Sequence, residues 1–213
     1  MKIERPKFQK NSDFQAIIFD LGNVVIKLDF NRMFDHWSMA SGKSFSELKT
    51  RFAFDETYYQ FEKGELTSDF YRAYASNMMG VRITENEFDG GFNSIYIGIL
   101  PGIEKVLQTV RTKTRIIALT NTNEIHASVW KVKFAPMLSY FEKVFCSHEL
   151  QTRKPEPQAY AKVLDYLALA PENVLFIDDN HDNVYGAEVV GINGLHVNSF
   201  ADLIEGLTRR GLY

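Results

Sequence analysis

Residues 16–25 read Ala16-Ile17-Ile18-Phe19-Asp20-Leu21-Gly22-Asn23-Val24-Val25. Four apolar residues in succession suit a strand buried on both faces, as in parallel sheets covered by helices. The run stops at an acid followed closely by glycine and asparagine, residues that favour turns. The same pattern returns downstream. Arg115-Ile116-Ile117-Ala118-Leu119 ends at Thr120, and Lys143-Val144-Phe145-Cys146 runs into a polar loop holding Lys154. Asn173-Val174-Leu175-Phe176-Ile177 ends at Asp178-Asp179, and Gly194-Leu195-His196-Val197 is a fainter fifth run. Between the runs, Ile103 to Val110, Pro157 to Leu169 and Val184 to Val190 carry apolar residues at helical spacing. Alternating strands and helices predict an α/β core built on a parallel sheet.

One long interval breaks the alternation. From Asn31 to Leu100 the amphipathic stretches Met33 to Met39, Ser46 to Phe52, Ser68 to Met78 and Glu85 to Phe92 have helical spacing, and no strand-like alternation is apparent. The turn Lys63-Gly64-Glu65-Leu66-Thr67-Ser68 supplies a glycine stop and then a Thr or Ser to cap the next helix. The expectation is an all-helical insertion over residues 31–99, within a core made of residues 1–30 and 100–213.

The 213 residues suffice for one sizeable core with a smaller accessory unit. A net charge of −3 gives no electrostatic footprint for nucleic acid or an anionic membrane. Cys146 is the only cysteine, so no disulfide can form within the chain. The opening MKIERPKFQKNSDF lacks the apolar centre of a signal peptide, and no apolar run is long enough to span a bilayer. These features lead us to expect a soluble, cytoplasmic protein; they carry no information on oligomeric state.

In an open parallel sheet the ligand crevice lies beyond the carboxyl ends of the strands. Taken singly, Asp20, Thr120, Lys154 and Asp178-Asp179 are ordinary turn, capping or surface residues. Together, at the ends of neighbouring strands, they would meet in one crevice. Paired carboxylates make a hard oxygen site of the kind magnesium prefers, while a lysine and a hydroxyl supply a cation and a donor for phosphoryl oxygens.

The order and spacing of these residues resemble the four motifs of the haloacid-dehalogenase superfamily, over nearly the whole chain. They are Phe19-Asp20-Leu21-Gly22-Asn23-Val24-Val25, then Leu119-Thr120-Asn121-Thr122-Asn123, then Arg153-Lys154-Pro155, and last Phe176-Ile177-Asp178-Asp179-Asn180-His181-Asp182-Asn183. The branch it resembles includes glucose-1-phosphate phosphatase and the phosphatase domain of soluble epoxide hydrolases. The resemblance implies a Rossmann-like core with helices on both faces and a helical cap. It implies a phosphoric monoester hydrolase in which Asp20 attacks phosphorus to form an aspartyl-phosphate. Thr120 and the Asn121 amide would hold the transferring oxygens, and Lys154 would neutralise Asp20 and the phosphate. Magnesium would sit on Asp20, the Gly22 carbonyl and Asp179, with Asp178 and Asn183 orienting Asp179 or Lys154. The substrate would be a small phosphorylated metabolite, with a sugar phosphate favoured. Replacing Lys154 is expected to cost rate and spare the fold.

One position departs from the family's DxD pattern. Gly22 stands where a second Asp would protonate the leaving group and later activate water, assistance typically worth about 10² to 10⁴ in rate. Two alternatives follow. One is a phosphometabolite-binding or regulatory protein with little turnover. The other is a metal-independent haloacid dehalogenase, disfavoured because two acids remain in the last motif. Among the histidines, His181, two residues beyond Asp179, is the nearest substitute base. Tyr58, Tyr59 and Phe61 could stack on a sugar ring, but packing in a helical core is the role we expect of them.

Overall fold

The computed structural model describes residues 14–213. The expected lack of an apolar leader falls on residues 1–13 and so lies outside the described residues. The chain begins with β1 (Ala16–Phe19) and β2 (Ile26–Leu28). Five helices follow: α1 (Asn31–Ser41), α2 (Phe45–Arg51), α3 (Glu56–Glu62), α4 (Ser68–Met79) and α5 (Glu85–Asn93). Next come β3 (Tyr96–Ile99), α6 (Ile103–Val110), β4 (Arg115–Thr120), α7 (Glu124–Lys133) and the single turn α8 (Ala135–Leu138). The chain closes with β5 (Lys143–Cys146), the turn α9 (Ser147–Leu150), α10 (Pro157–Leu167), β6 (Val174–Asp178), α11 (His181–Val189), β7 (Asn193–His196) and α12 (Phe200–Arg209).

Five strands form a parallel sheet in the order β5-β4-β1-β6-β7. The apolar runs are buried on both faces, as their composition predicts. Ile17 and Phe19 of β1 join Ile116, Ala118, Leu175 and Ile177 on one face, packed with α6 and α12. Ala16 and Ile18 join Ile117, Leu119, Val174 and Phe176 on the other, against Tyr160, Val163 and Leu167 of α10. This is an α/β core with helices on both faces. Strand order reverses around central β1, because the chain runs outward through β4 and β5 and then returns to β6 on the other side. That reversal places the β1 end between the β4 and β6 ends, at a topological switch point.

Helices α1 to α5 enclose a second core around Trp37, Tyr71, Phe88 and Phe92. Polar side chains start these helices where the chain turns. Ser44, Asp55 and Thr67 accept backbone N–H bonds at the starts of α2, α3 and α4, and Thr84 with Glu87 closes a capping box on α5. Helices α1 and α5 meet so closely that a Cβ at Gly91 would fall 2.3 Å from Trp37 Nε1. Only glycine fits there.

One stretch departs from the expected all-helical interval. Tyr96–Ile99 is a strand, paired antiparallel with β2 in a two-stranded ribbon where the chain leaves and re-enters the core. Its Ile97 and Ile99 are each 40 % exposed, so apolar residues mark its outer face and hide the alternation.

Candidate active site

Asp20 follows the last residue of β1, and its backbone N–H donates to Ile177 O of β6 at 2.8 Å. Thr120 closes β4 and Asp178 closes β6. These strand ends bring Asp20, Asp178 and Asp179 so close that one carboxylate oxygen from each lies within 4.8 Å of the others. Lys154 arrives on the loop after α9. Its ammonium donates to Asp20 Oδ1 and Asp178 Oδ2, both at 2.6 Å, and only 1 % of the residue is exposed.

Each member of this cluster is held by a second contact. Asp178 accepts the Asn183 amide at both oxygens, 3.2 and 3.1 Å away, and the Asn180 backbone N–H at 2.8 Å. Asp178 and Asn183 therefore orient Lys154. Asp179 is the more open acid and accepts the Asn23 amide at 3.2 Å. The Asn121 side chain pairs twice with the Lys154 backbone, accepting its N–H and donating to its carbonyl at 2.9 Å each. The Asn121 side-chain amide is thus committed to placing the lysine, and Thr120 stands beside it with 6 % exposure. The Gly22 carbonyl accepts the Val24 N–H at 2.7 Å, leaving one lone pair.

Burial is the largest influence on Asp20 and pushes its carboxyl up to about 7; Lys154 opposes the shift, and Asp178 and Asp179 add to it. Asp179 is raised for the same first reason, then by Asp178. Burial works against the Lys154 ammonium, but Asp178 and Asp20 outweigh it and hold the amine above its usual range. With all three acids ionised, one ammonium would leave two negative charges uncompensated in a cavity of about 240 Å³, and burial already resists that state by raising Asp20 and Asp179. A divalent cation fits that set, because all three acids offer hard oxygen ligands.

The cavity opens beside the β2–β3 ribbon, with Leu28, Phe30, Tyr96 and Trp130 on its walls. A larger hollow of about 450 Å³ involves Gly64, Lys131 and His148 but none of the three clustered acids. His181 starts α11 beside His196, with ring centroids 5.7 Å apart, and is not among the residues lining the cavity that holds the three acids. Tyr58 and Phe61 are buried in the helical core, in line with the packing role expected of them, whereas Tyr59 lies under the Arg153 guanidinium at 4.2 Å. Sequence reading missed one contact here. Arg153 Nε donates to buried Glu62 Oε2 of α3 at 2.9 Å, joining the helical insertion to the residue preceding Lys154. An isolated Glu in a helix gives no sign of a partner 91 positions away.

Clustered acids, a buried lysine and a hydroxyl at the switch point of a parallel sheet define a hydrolase site built for anionic groups. The chain belongs to the haloacid dehalogenase-like hydrolase family, whose model matches residues 14–191. D-ribitol-5-phosphate phosphatase of Bacteroides thetaiotaomicron is 22% identical over 201 residues, covering 90% of this chain and 96% of the relative. A sesquiterpene phosphatase of Aspergillus oryzae is 26% identical over 195 residues, covering 90% and 94%. A haloacid dehalogenase family enzyme of B. thetaiotaomicron superposes with a TM-score of 0.79 at 27% identity, covering 90% of this chain and 98% of that one. The same enzyme in complex with magnesium and inorganic phosphate gives a TM-score of 0.75 at 29% identity, covering 86% and 93%. As an enzyme, the chain falls with the phosphoric monoester hydrolases of this family. No described helix is long and apolar enough to cross a membrane.

Proposed function

We propose that this protein is a magnesium-dependent phosphatase that hydrolyses a small phosphorylated metabolite, a sugar or polyol phosphate being favoured, through an aspartyl-phosphate on Asp20. The observation that carries the reading is the Lys154 ammonium bridging Asp20 and Asp178, beside a third acid. Asp20 Oδ1 is anchored by the lysine, which fixes the carboxylate at the floor of the cavity. The other oxygen attacks phosphorus, the P–O bond to the leaving group breaks, and the departing alkoxide takes its proton from solvent, since Gly22 offers none. Water then attacks phosphorus, inorganic phosphate leaves and the Asp20 carboxylate is restored.

Lys154, kept protonated by its two acids, offsets charge on the phosphoryl group through the reaction. The Thr120 hydroxyl and the backbone N–H of Asn121 are assigned to the transferring oxygens, while the Asn121 side chain places Lys154. Asp20, Asp179 and the second lone pair of the Gly22 carbonyl would hold magnesium. When bound, the ion supplies charge neutralisation and Lewis acidity at the phosphoryl oxygens. Helices α1 to α5 are assigned the role of a cap over the leaving group. The reading favours a polyol or sugar because one relative that aligns over most of the chain is named for D-ribitol 5-phosphate.

Hydrolysis of para-nitrophenyl phosphate, measured with magnesium and after chelation, tests the proposal. Activity should need the metal and should fall by about 10³ or more in Asp20→Asn, whose amide forms no acyl-phosphate. Tight binding of inorganic phosphate without turnover of this activated ester would favour the binding-protein reading. Full activity in Asp20→Asn would exclude the covalent route.

A further inference from the structure

The walls of the catalytic cavity say what the leaving group carries. Lys154 is the only cation among the described residues lining it, and both its partners are acids of the site itself. The nearest guanidinium in sequence, Arg153, is tied to buried Glu62 and stacked on Tyr59. Lys27, on the ribbon that forms one wall, alternates with Ile26 and Leu28, which line the cavity, so it faces the other side of the ribbon. Beyond the charged groups the lining combines neutral polar side chains, among them Thr120, Asn121 and Asn180, with an apolar wall of Leu28, Tyr96, Trp130 and, at the rim, Phe30, which is 37 % exposed and meets Phe54 edge to face at 5.4 Å.

Charge sharpens the point. Three carboxylates, one ammonium and one divalent cation sum to zero, so a bound phosphoryl group leaves the loaded site negative. A second anionic group on the substrate would meet that field with no further cation among the described lining residues to receive it, and like charges in a partly enclosed cavity repel strongly.

We infer that the substrate is a monophosphate whose leaving group is electrically neutral and presents an apolar face, and that bisphosphates and phosphorylated carboxylic acids are excluded. The inference rests on the phosphatase reading above and adds the class of leaving group. It makes Leu28, Phe30 and Tyr96 specificity-determining side chains, and it gives the Glu62–Arg153 pair a purpose: Glu62 withholds from the site the one guanidinium beside Lys154.

Three aryl phosphates test this with the full-length protein and magnesium. 4-Carbamoylphenyl phosphate and 4-carboxyphenyl phosphate match in shape and differ in charge. Phenyl phosphate, with the poorest leaving group of the three, controls for leaving-group chemistry. The carboxylate should have a kcat/KM about tenfold or more below both neutral esters. Phe30→Lys, a change at the exposed rim, should narrow that gap by about three- to fivefold, as expected for one partly solvated charge pair. Equal kcat/KM for the three esters would overturn the inference while leaving the phosphatase reading intact. So would a gap that Phe30→Lys leaves unchanged, because the missing cation at the rim would then not be what sets the discrimination. Hydrolysis of none of the three would instead remove the phosphatase reading on which the inference stands.

Discussion

Lys154 is bonded to two carboxylates at 2.6 Å with 1 % of its surface open, and this changes what its removal should do. Read from sequence, Lys154→Ala looked like a loss of rate alone. Burial makes it a loss of stability too, because Asp20 and Asp178 would be left as unpaired charges in a dry site. Breaking a buried pair in this way costs about 3 to 5 kcal/mol. Chemical denaturation should show that loss at neutral pH without metal, and magnesium should recover part of it. An unchanged unfolding midpoint would mean that the two acids are relieved by solvent. Gly22 sets the second expectation at this scale. With no base there, hydrolysis of the aspartyl-phosphate should be slower than its formation, giving a burst of released alcohol near one per site. A Cβ at Gly22 would meet Leu28 Cδ1 at 3.0 Å and Asp20 Oδ2 at 3.5 Å, so Gly22→Asp requires only a small shift of a flexible side chain. That variant should shorten the phospho-enzyme lifetime by about tenfold or more, as general bases do. A linear time course in the parent protein would show that hydrolysis is not the slow step.

At the scale of elements, the seam between helices α5 and α7 is the most informative. His126 of α7 stacks on Phe92 of α5 at 4.0 Å, with its Nδ1 3.2 Å from Asn93 Oδ1. Burial holds its pKa down at about 3. In the unfolded chain the imidazole titrates near about 6.5 and takes up a proton that the folded seam refuses. Stability from this group is therefore complete above about pH 6.5 and is lost progressively as pH falls towards about 3. Thermal unfolding should show wild type losing more stability than His126→Phe between about pH 7 and about pH 4.5. Parallel loss in both proteins would place the acid sensitivity elsewhere. Element scale is also where sequence reading was uneven. Buried runs such as Ile17-Ile18-Phe19 declare a strand because both faces are apolar. The β2–β3 ribbon stayed hidden because Gly98 interrupts β3 and the β3 isoleucines, Ile97 and Ile99, are each 40 % exposed. Helix α3 was legible only through Tyr58 and Phe61, whose rings lie in the helical core.

Across the whole molecule, the convergence of the acids and Lys154 was readable because parallel-sheet topology converts a turn residue after a buried run into a position beside its neighbours. Asp20, Thr120, Asp178 and Asp179 could be placed together without coordinates for that reason, and Lys154 through its motif. The contacts that tune the cluster were not readable. The Asn121 amide spends both its groups on the Lys154 backbone, and Glu62 reaches Arg153 from a different core. Neither is encoded by spacing, since each depends on how loops close in three dimensions. The chemical role of Asp20 stands apart from all of these, and it is the claim on which the account depends. Trapping tests it most directly: acid quench during turnover of a phosphomonoester, borohydride reduction, then peptide sequencing by mass spectrometry. An aspartyl-phosphate at this position is reduced to homoserine, so the account predicts homoserine in place of Asp20 in a fraction matching the burst. Steady hydrolysis with position 20 recovered only as aspartate, under conditions that trap a known acyl-phosphate, would contradict it.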